Sequence, residues 1–115
     1  MPQNRNKLID LFIGNIANAI IHETLIEAIK DKSKEIASHY QKEIENAIKI
    51  SKKYREKINP LNISLPDKDI SYIKLKIIKK VNAELRIRIS KGYKNIDLTL
   101  ANKLVEKILK ETRII

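Results

Sequence analysis

The stretch from Leu8 to Ile29 constrains the fold more than any other, because its apolar residues occur on almost every side of the helix that they predict. Only Asn15, Asn18 and His22 form a polar stripe along that helix. A helix of this kind has to be covered on more than one side, so we expect it to be the core helix. Gly14, within it, indicates a close crossing with a neighbouring helix.

If the remaining segments leave one side of this helix uncovered, that side should bind a second copy of the chain. We expect those segments to be too few to enclose it, so this helix should specify the oligomeric state, and a homodimer is favoured. The residues predicted to form the oligomer interface are Phe12, Ile13, Ile16, Ile20 and Leu25.

No membrane insertion is expected for the same stretch. Asp10 at the centre of a spanning helix would cost about 2.5–3.5 kcal/mol, and the polar stripe would face lipid. No clean cleavage site follows the apolar residues, so no targeting signal is expected either. The chain has no cysteine, which fits a reducing compartment. We therefore expect an intracellular, cytoplasmic protein.

The length of 115 residues predicts a single domain over 1–115. A Pro-rich linker at 59–69 separates a helical half at 1–58 from a second part at 70–115. The apolar residues are mostly Ile and the cations mostly Lys, which is compatible with a thermophile and equally with an AT-rich genome.

A second, amphipathic helix is predicted from Lys34 to Ile58. The polar residues at 30–33 either form a turn, which gives a helical hairpin, or continue as one long helix, because no Gly or Pro breaks the pattern. The outer face of this helix is basic towards its end and includes Lys52, Lys53 and Arg55. These cations suit the helix dipole and are also candidates for phosphate contacts.

The stretch from 70 to 90 fits two structures. As a β-hairpin at about 72–90, it alternates apolar and basic residues in two runs, which pair across a loop at 80–82. As a helix at 66–91, it has a clear start and end, but three charged residues fall within its apolar face. The period of two is the cleaner pattern. We therefore predict an α+β, mostly helical fold with this hairpin, and the alternative is an all-α fold.

A last helix is predicted from Leu98 to about Glu111, with Asp97 or Thr99 as its N-cap. The segment DLTLANKL, from Asp97 to Leu104, resembles the strand-to-helix junction of the small alpha-like assembly subunits of archaeal and eukaryotic RNA polymerase. Those subunits place the segment after two strands and have a His where Leu98 stands. The resemblance covers this junction alone and implies no function for the chain.

The net charge of +10 lies beyond the first helix and favours a polyanionic partner. Like charges across a ribbon are destabilising, so four cations on one face of the predicted hairpin favour a functional role. We predict a small nucleic-acid-binding protein that contacts the phosphates of DNA or RNA, and the alternative is a structural or assembly subunit. The predicted phosphate-binding residues are Lys74, Lys76, Arg86, Arg88, Lys79, Lys80, Lys52, Lys53 and Arg55.

No pattern in the sequence indicates an enzyme. His22 and His39 are the only imidazoles, and Glu43 lies one turn beyond His39. A catalytic or metal site needs a third ligand or a positioned nucleophile, and the residues spaced around His22 and His39 predict neither. We therefore predict no catalytic residue, no metal and no cofactor, and we expect His22 to be a hydrogen-bonded member of the polar stripe.

Overall fold

The computed structural model of the protein describes residues 5–29, 34–58, 64–112 and 114. Within these ranges the chain forms α1 (Arg5–Ile29), α2 (Lys34–Ile58), α3 (Asp67–Ser90) and α4 (Leu98–Glu111). Helix α1 contacts each of the other three, and α3 and α4 contact each other. The prediction of α1 as the core helix is therefore confirmed.

The apolar side chains of α1 are covered by the chain's own helices. Phe12, Ile16 and Ile20 have no exposed surface, because α2, α3 and α4 pack around them. All five residues predicted for self-association belong to this core. Because Asp67–Ser90 forms a helix and not a hairpin, α2, α3 and α4 together enclose α1. No surface for a second copy is formed by these five residues in the described structure. Gly14 marks no close crossing, since a Cβ there would have nothing within 4 Å.

The prediction of a β-hairpin at 72–90 is wrong. Helix α3 occupies this stretch, and its buried residues are Ile73, Ile77, Val81 and Leu85, which follow one another at intervals of four. That interval places all four on one face of a helix. The described residues contain no strand, so the α+β prediction is wrong and the all-α alternative, with a helix at 66–91, fits.

Both ends of α3 have clear local causes. Pro66 precedes its first residue, and Asp67 and Asp69 in its first turn interact favourably with the helix dipole. At the other end, the Gly92 N–H donates to the Ile89 carbonyl (3.0 Å) and the Tyr93 N–H to the Arg88 carbonyl (3.1 Å). This is a Schellman motif, and Gly92 takes the left-handed conformation that the motif requires, with φ of 100°.

Helices α1 and α2 fold back on each other. His22 Nδ1 of α1 lies 3.2 Å from Glu43 Oε2 of α2, whereas one continuous helix would hold these residues about 31 Å apart at 1.5 Å per residue. The hairpin interpretation is therefore the correct one. The predicted turn at 30–33 lies outside the described residues, as do residues 59–63 of the predicted linker.

Helices α1 and α3 run in the same direction. Arg5 pairs with Asp69 at their N-terminal ends, and the Tyr72 hydroxyl lies 3.4 Å from Asp10 Oδ1 one turn further along. Helix α4 packs against both and starts at an Asp97 N-cap, whose Oδ1 accepts hydrogen bonds from the backbone N–H groups of Thr99 and Leu100. The cap confirms the first of the two N-cap candidates, and the element before it is a helix, whereas the junction in the RNA polymerase subunits follows strands.

Gly14→Ala should stabilise the protein by about 0.5–1 kcal/mol, because alanine is the better helix former and the added Cβ meets only open space. The measurement is the urea midpoint of unfolding. Gly92→Ala is the matched control and should be destabilising, since alanine is strained at a φ of 100°. Destabilisation by Gly14→Ala would show that the space beside Gly14 is filled in solution.

Candidate nucleic-acid interface

The four cations expected on one face of a hairpin lie on different sides of α3. Lys74 flanks the buried stripe and forms an ion pair with Glu106 of α4, which lowers the pKa of that carboxyl. Arg88 also flanks the stripe, with its Nε 3.4 Å from Glu84 Oε1. Only Lys76 and Arg86 of the four are fully on the solvent side. The predicted four-cation face is therefore split.

A smaller basic surface does exist on the solvent side of α3. We define the outer basic face as Lys76, Lys79 and Arg86, all three exposed. Their spacing of three and seven residues places them on one side of the helix, and Lys80 lies at the edge of this face towards α1. The only acidic residue of α3 after its first turn is Glu84, which faces Arg88. The outer basic face therefore carries charge of one sign.

Apolar side chains share this side of α3. Tyr72 is exposed, and the Lys76 Nζ lies 5.8 Å from the centroid of its ring, within the range of a cation–π contact. Leu75 is 58% exposed and Ile87 is 48% exposed. A partner that covers this side of α3 would therefore bury apolar side chains as well as cations.

Helix α2 separates the three cations predicted on it. Lys52 and Lys53 are exposed, but Arg55 is only 1% exposed and is among the largest buried side chains. Burial lowers the pKa of the Arg55 guanidinium, which nevertheless stays charged at neutral pH. Arg55 therefore cannot contact a phosphate in this arrangement. The exposed lysines of α2 are interleaved with Glu45 and Glu56, so this surface is mixed in sign.

The burial of Arg55 could have been found in the sequence. The residues of α2 that turn towards α1 recur at spacings of three and four, which is the seam of a helix pair. Arg55 falls within that seam, next to Ser51 one turn before it. The buried or half-buried positions of the seam are Ile44, Ile48, Ser51, Arg55 and Ile58.

His22 and His39 meet at one carboxylate. Glu43 Oε2 lies 3.2 Å from His22 Nδ1, and Glu43 Oε1 lies 3.1 Å from His39 Nε2. Burial lowers the pKa of His22, Glu43 opposes this shift, and the positive charges of Arg88 and His39 add to it. Among the described residues, no group of three or more His, Cys, Asp or Glu side chains could hold a metal ion.

Helix α1 is long and apolar enough, by length and composition alone, to cross a membrane. In the structure, 56% of its most apolar stretch is buried against the rest of the chain. A core helix meets the same criteria, and the burial of α1 on three sides is the arrangement of a core helix.

Comparisons with known proteins identify no similar one: no family model, no curated protein and no solved structure matches this chain. What the protein does has to be inferred from its own surfaces and clefts.

Stability should fall as the pH is lowered from 7.0 to 5.5, and His22 should account for part of the fall. Because burial lowers the pKa of His22 in the folded state, the unfolded chain binds its proton more readily, and protonation favours unfolding. We expect His22→Asn to show a smaller loss of unfolding free energy over this range, measured by urea titration at each pH.

His39→Asn is the matched control, because it removes the second imidazole from the same carboxylate while its own side chain is 71% exposed. An equal change in both variants would show that the burial of His22 does not set the pH dependence. An unchanged pH dependence in His22→Asn would contradict the role given to the burial of His22.

Proposed function

We propose that this protein binds nucleic acid by contacting phosphates with the outer basic face of α3. The observation that supports the proposal best is the exposure of Lys76, Lys79 and Arg86 on one side of a helix, where no carboxylate of α3 competes for them. A single-signed face of this kind attracts a polyanion and repels a copy of itself.

The dimensions of the face fit a nucleic-acid backbone. Lys76 and Arg86 are ten residues apart, so they span about 15 Å along the helix at 1.5 Å per residue. One strand of duplex DNA presents a phosphate about every 3.4 Å of its axis, so this length covers about four of them. An α-helix also fits the major groove, which is about 12 Å wide.

Little base-specific readout is expected from this face. The only side-chain amide on α3 is Asn82, which is half-buried, and amides are the usual partners of adenine. Phosphate contacts give affinity and orientation but carry no sequence information. The binding that we propose is therefore largely independent of sequence.

Reversal of three charges on the outer basic face should abolish most of this binding. We expect the variant with Lys76→Glu, Lys79→Glu and Arg86→Glu to bind a random-sequence duplex more weakly, because each phosphate that it leaves unneutralised keeps its condensed counterions. The slope of log K against log salt should become shallower by about one for each phosphate that is no longer bound. Fluorescence anisotropy over a salt series measures both quantities.

The matched control carries the same charge change on α2, with Lys49→Glu, Lys52→Glu and Lys53→Glu. All three lysines are exposed, and α2 does not contact α3 within the described helices. We expect a much smaller loss of affinity in this variant. Equal losses from the two triple variants would mean that net charge alone governs binding, and that outcome would overturn the assignment to α3.

An assembly subunit is the second candidate, and the exposed apolar residues of α3 favour it. Leu75 and Ile87 lie on the solvent side, where a partner chain could cover them. A homodimer through this face has to bring its cations together, so salt should strengthen it by screening their repulsion. Salt weakens binding to nucleic acid, so the two candidates respond to salt in opposite directions.

Sedimentation equilibrium at low and high salt checks the second candidate. A dimer that tightens with salt and dissociates when Leu75→Ser and Ile87→Ser are combined would support assembly through α3. A monomer at every salt concentration would exclude a homodimer on this face. The duplex-binding assay is unaffected by that result, so each candidate can fail alone.

A further inference from the structure

A cleft of about 290 Å³ lies between α1 and α3, beside the edge of the outer basic face. One side of α1 and three successive turns of α3 line it. Because Gly14 has no side chain, the space above it stays open and forms part of the cleft. The lining residues are Gly14, Ala17, Asn18, Ile21, His22, Lys80, Glu84 and Arg88.

The polar groups of this cleft are mostly donors. Lys80 and Arg88 contribute two positive charges from α3, and Asn18 and His22 contribute an amide and an imidazole from α1. Glu84 is the only carboxylate among the lining residues. The cleft therefore favours an anion over a cation, and it is near the lower end of the size range for small-molecule sites.

One donor of the cleft is buried without a hydrogen-bond partner. The Arg88 Nε is inaccessible to solvent, and no described residue accepts a hydrogen bond from it. Glu84 Oε1 is 3.4 Å away, close enough for an ion pair but not aligned with the N–H group. A buried donor in this state is costly, and a rotation of the Arg88 side chain towards the cleft would let an incoming acceptor relieve the cost.

We propose that this cleft binds a single phosphate group. The planar guanidinium of Arg88 matches two oxygens of such a group, and Lys80 adds a point charge. Donors reach the cleft from two helices, which suits the tetrahedral oxygens of a phosphate better than a planar carboxylate. Glu84 opposes the anion and sets a limit on its affinity.

The phosphate group has two possible sources. It is either a free phosphate ion or the terminal phosphate of a nucleic-acid strand. Lys80 lies between the cleft and the outer basic face, so a strand bound on that face could place its end in the cleft. The phosphate site does not depend on the function proposed above, because the Lys76, Lys79 and Arg86 side chains do not line the cleft.

A titration of the ¹⁵N-labelled protein with inorganic phosphate tests the site. The signals to follow are the Arg88 Nε–H and the Gly14 amide, at constant ionic strength kept with sodium chloride. We expect both to shift and saturate with phosphate and to stay in place in chloride alone. Shifts that chloride reproduces would overturn the proposal, and shifts that never saturate with inorganic phosphate would exclude a free phosphate ion as the source.

Variants separate the site from a general effect of charge. Arg88→Gln should weaken phosphate binding about 10- to 100-fold, the loss expected for hydrogen bonds to a charged group. Arg86→Gln removes the same charge from the outer basic face and should leave binding within about twofold, as expected for a screened surface charge. Equal losses in the two variants would overturn the site.

Two further variants act in opposite directions. Glu84→Gln should tighten phosphate binding, because it removes the one opposing charge, while Gly14→Leu should abolish binding by filling the space above Gly14. If Gly14→Leu unfolds the protein, Glu84→Gln still tests the site, and weaker phosphate binding by that variant would contradict the opposing role given to Glu84.

A single-stranded oligonucleotide with a 5′-phosphate, and the same strand with a 5′-hydroxyl, identify the source. Saturation by inorganic phosphate supports a free ion, and saturation only by the phosphorylated strand supports a strand end. Failure of both probes overturns the site. The triple variant of the outer basic face should keep its phosphate site, and Arg88→Gln should keep its duplex binding, so failure of either proposal is recognisable by itself.

Discussion

The burial of α1 is the constraint on which the rest of the structure depends. Its apolar side chains point in nearly every direction, and each of the other three helices covers one part of them. Every other helix can therefore be amphipathic, with one apolar face packed on α1 and the opposite face available to solvent. Because α2, α3 and α4 each need only one apolar face to cover α1, their other faces can carry the basic residues.

Helix α3 shows how burial decides which charges are available. Its apolar stripe follows intervals of four residues, so Lys74 and Arg88 flank the stripe and take carboxylate partners beside it. Lys76, Lys79 and Arg86 lie on the far side and keep their charge exposed. The same lysine-rich segment thus divides into cations that help to hold the fold and cations that face solvent.

The sequence alone predicts the core helix, the helical hairpin that follows it as one of two options, and an N-cap at Asp97 or Thr99, because each has a strong local signal. It predicts α3 only as the less favoured of two structures for 70–90. Ile73 and Ile77 belong to a period of two and to a period of four at once, and the choice depends on packing against α1. The burial of Arg55 and the cleft beside Gly14 both depend on which face of one helix meets another: the spacing within α2 indicates the first, and no pattern in the sequence indicates the second.

The arrangement around α1 also has a consequence for how substitutions combine. Helices α2 and α3 do not contact each other within the described ranges, so changes on the two should contribute additively to the free energy of unfolding. His22 is the exception, because it touches Glu43 of α2 and lines the same cleft as Arg88 of α3. A double-mutant cycle between Glu43 and Arg88 should therefore give a smaller coupling energy once His22 is removed, which makes this imidazole a thermodynamic link between two helices that do not contact each other in the described part of the chain.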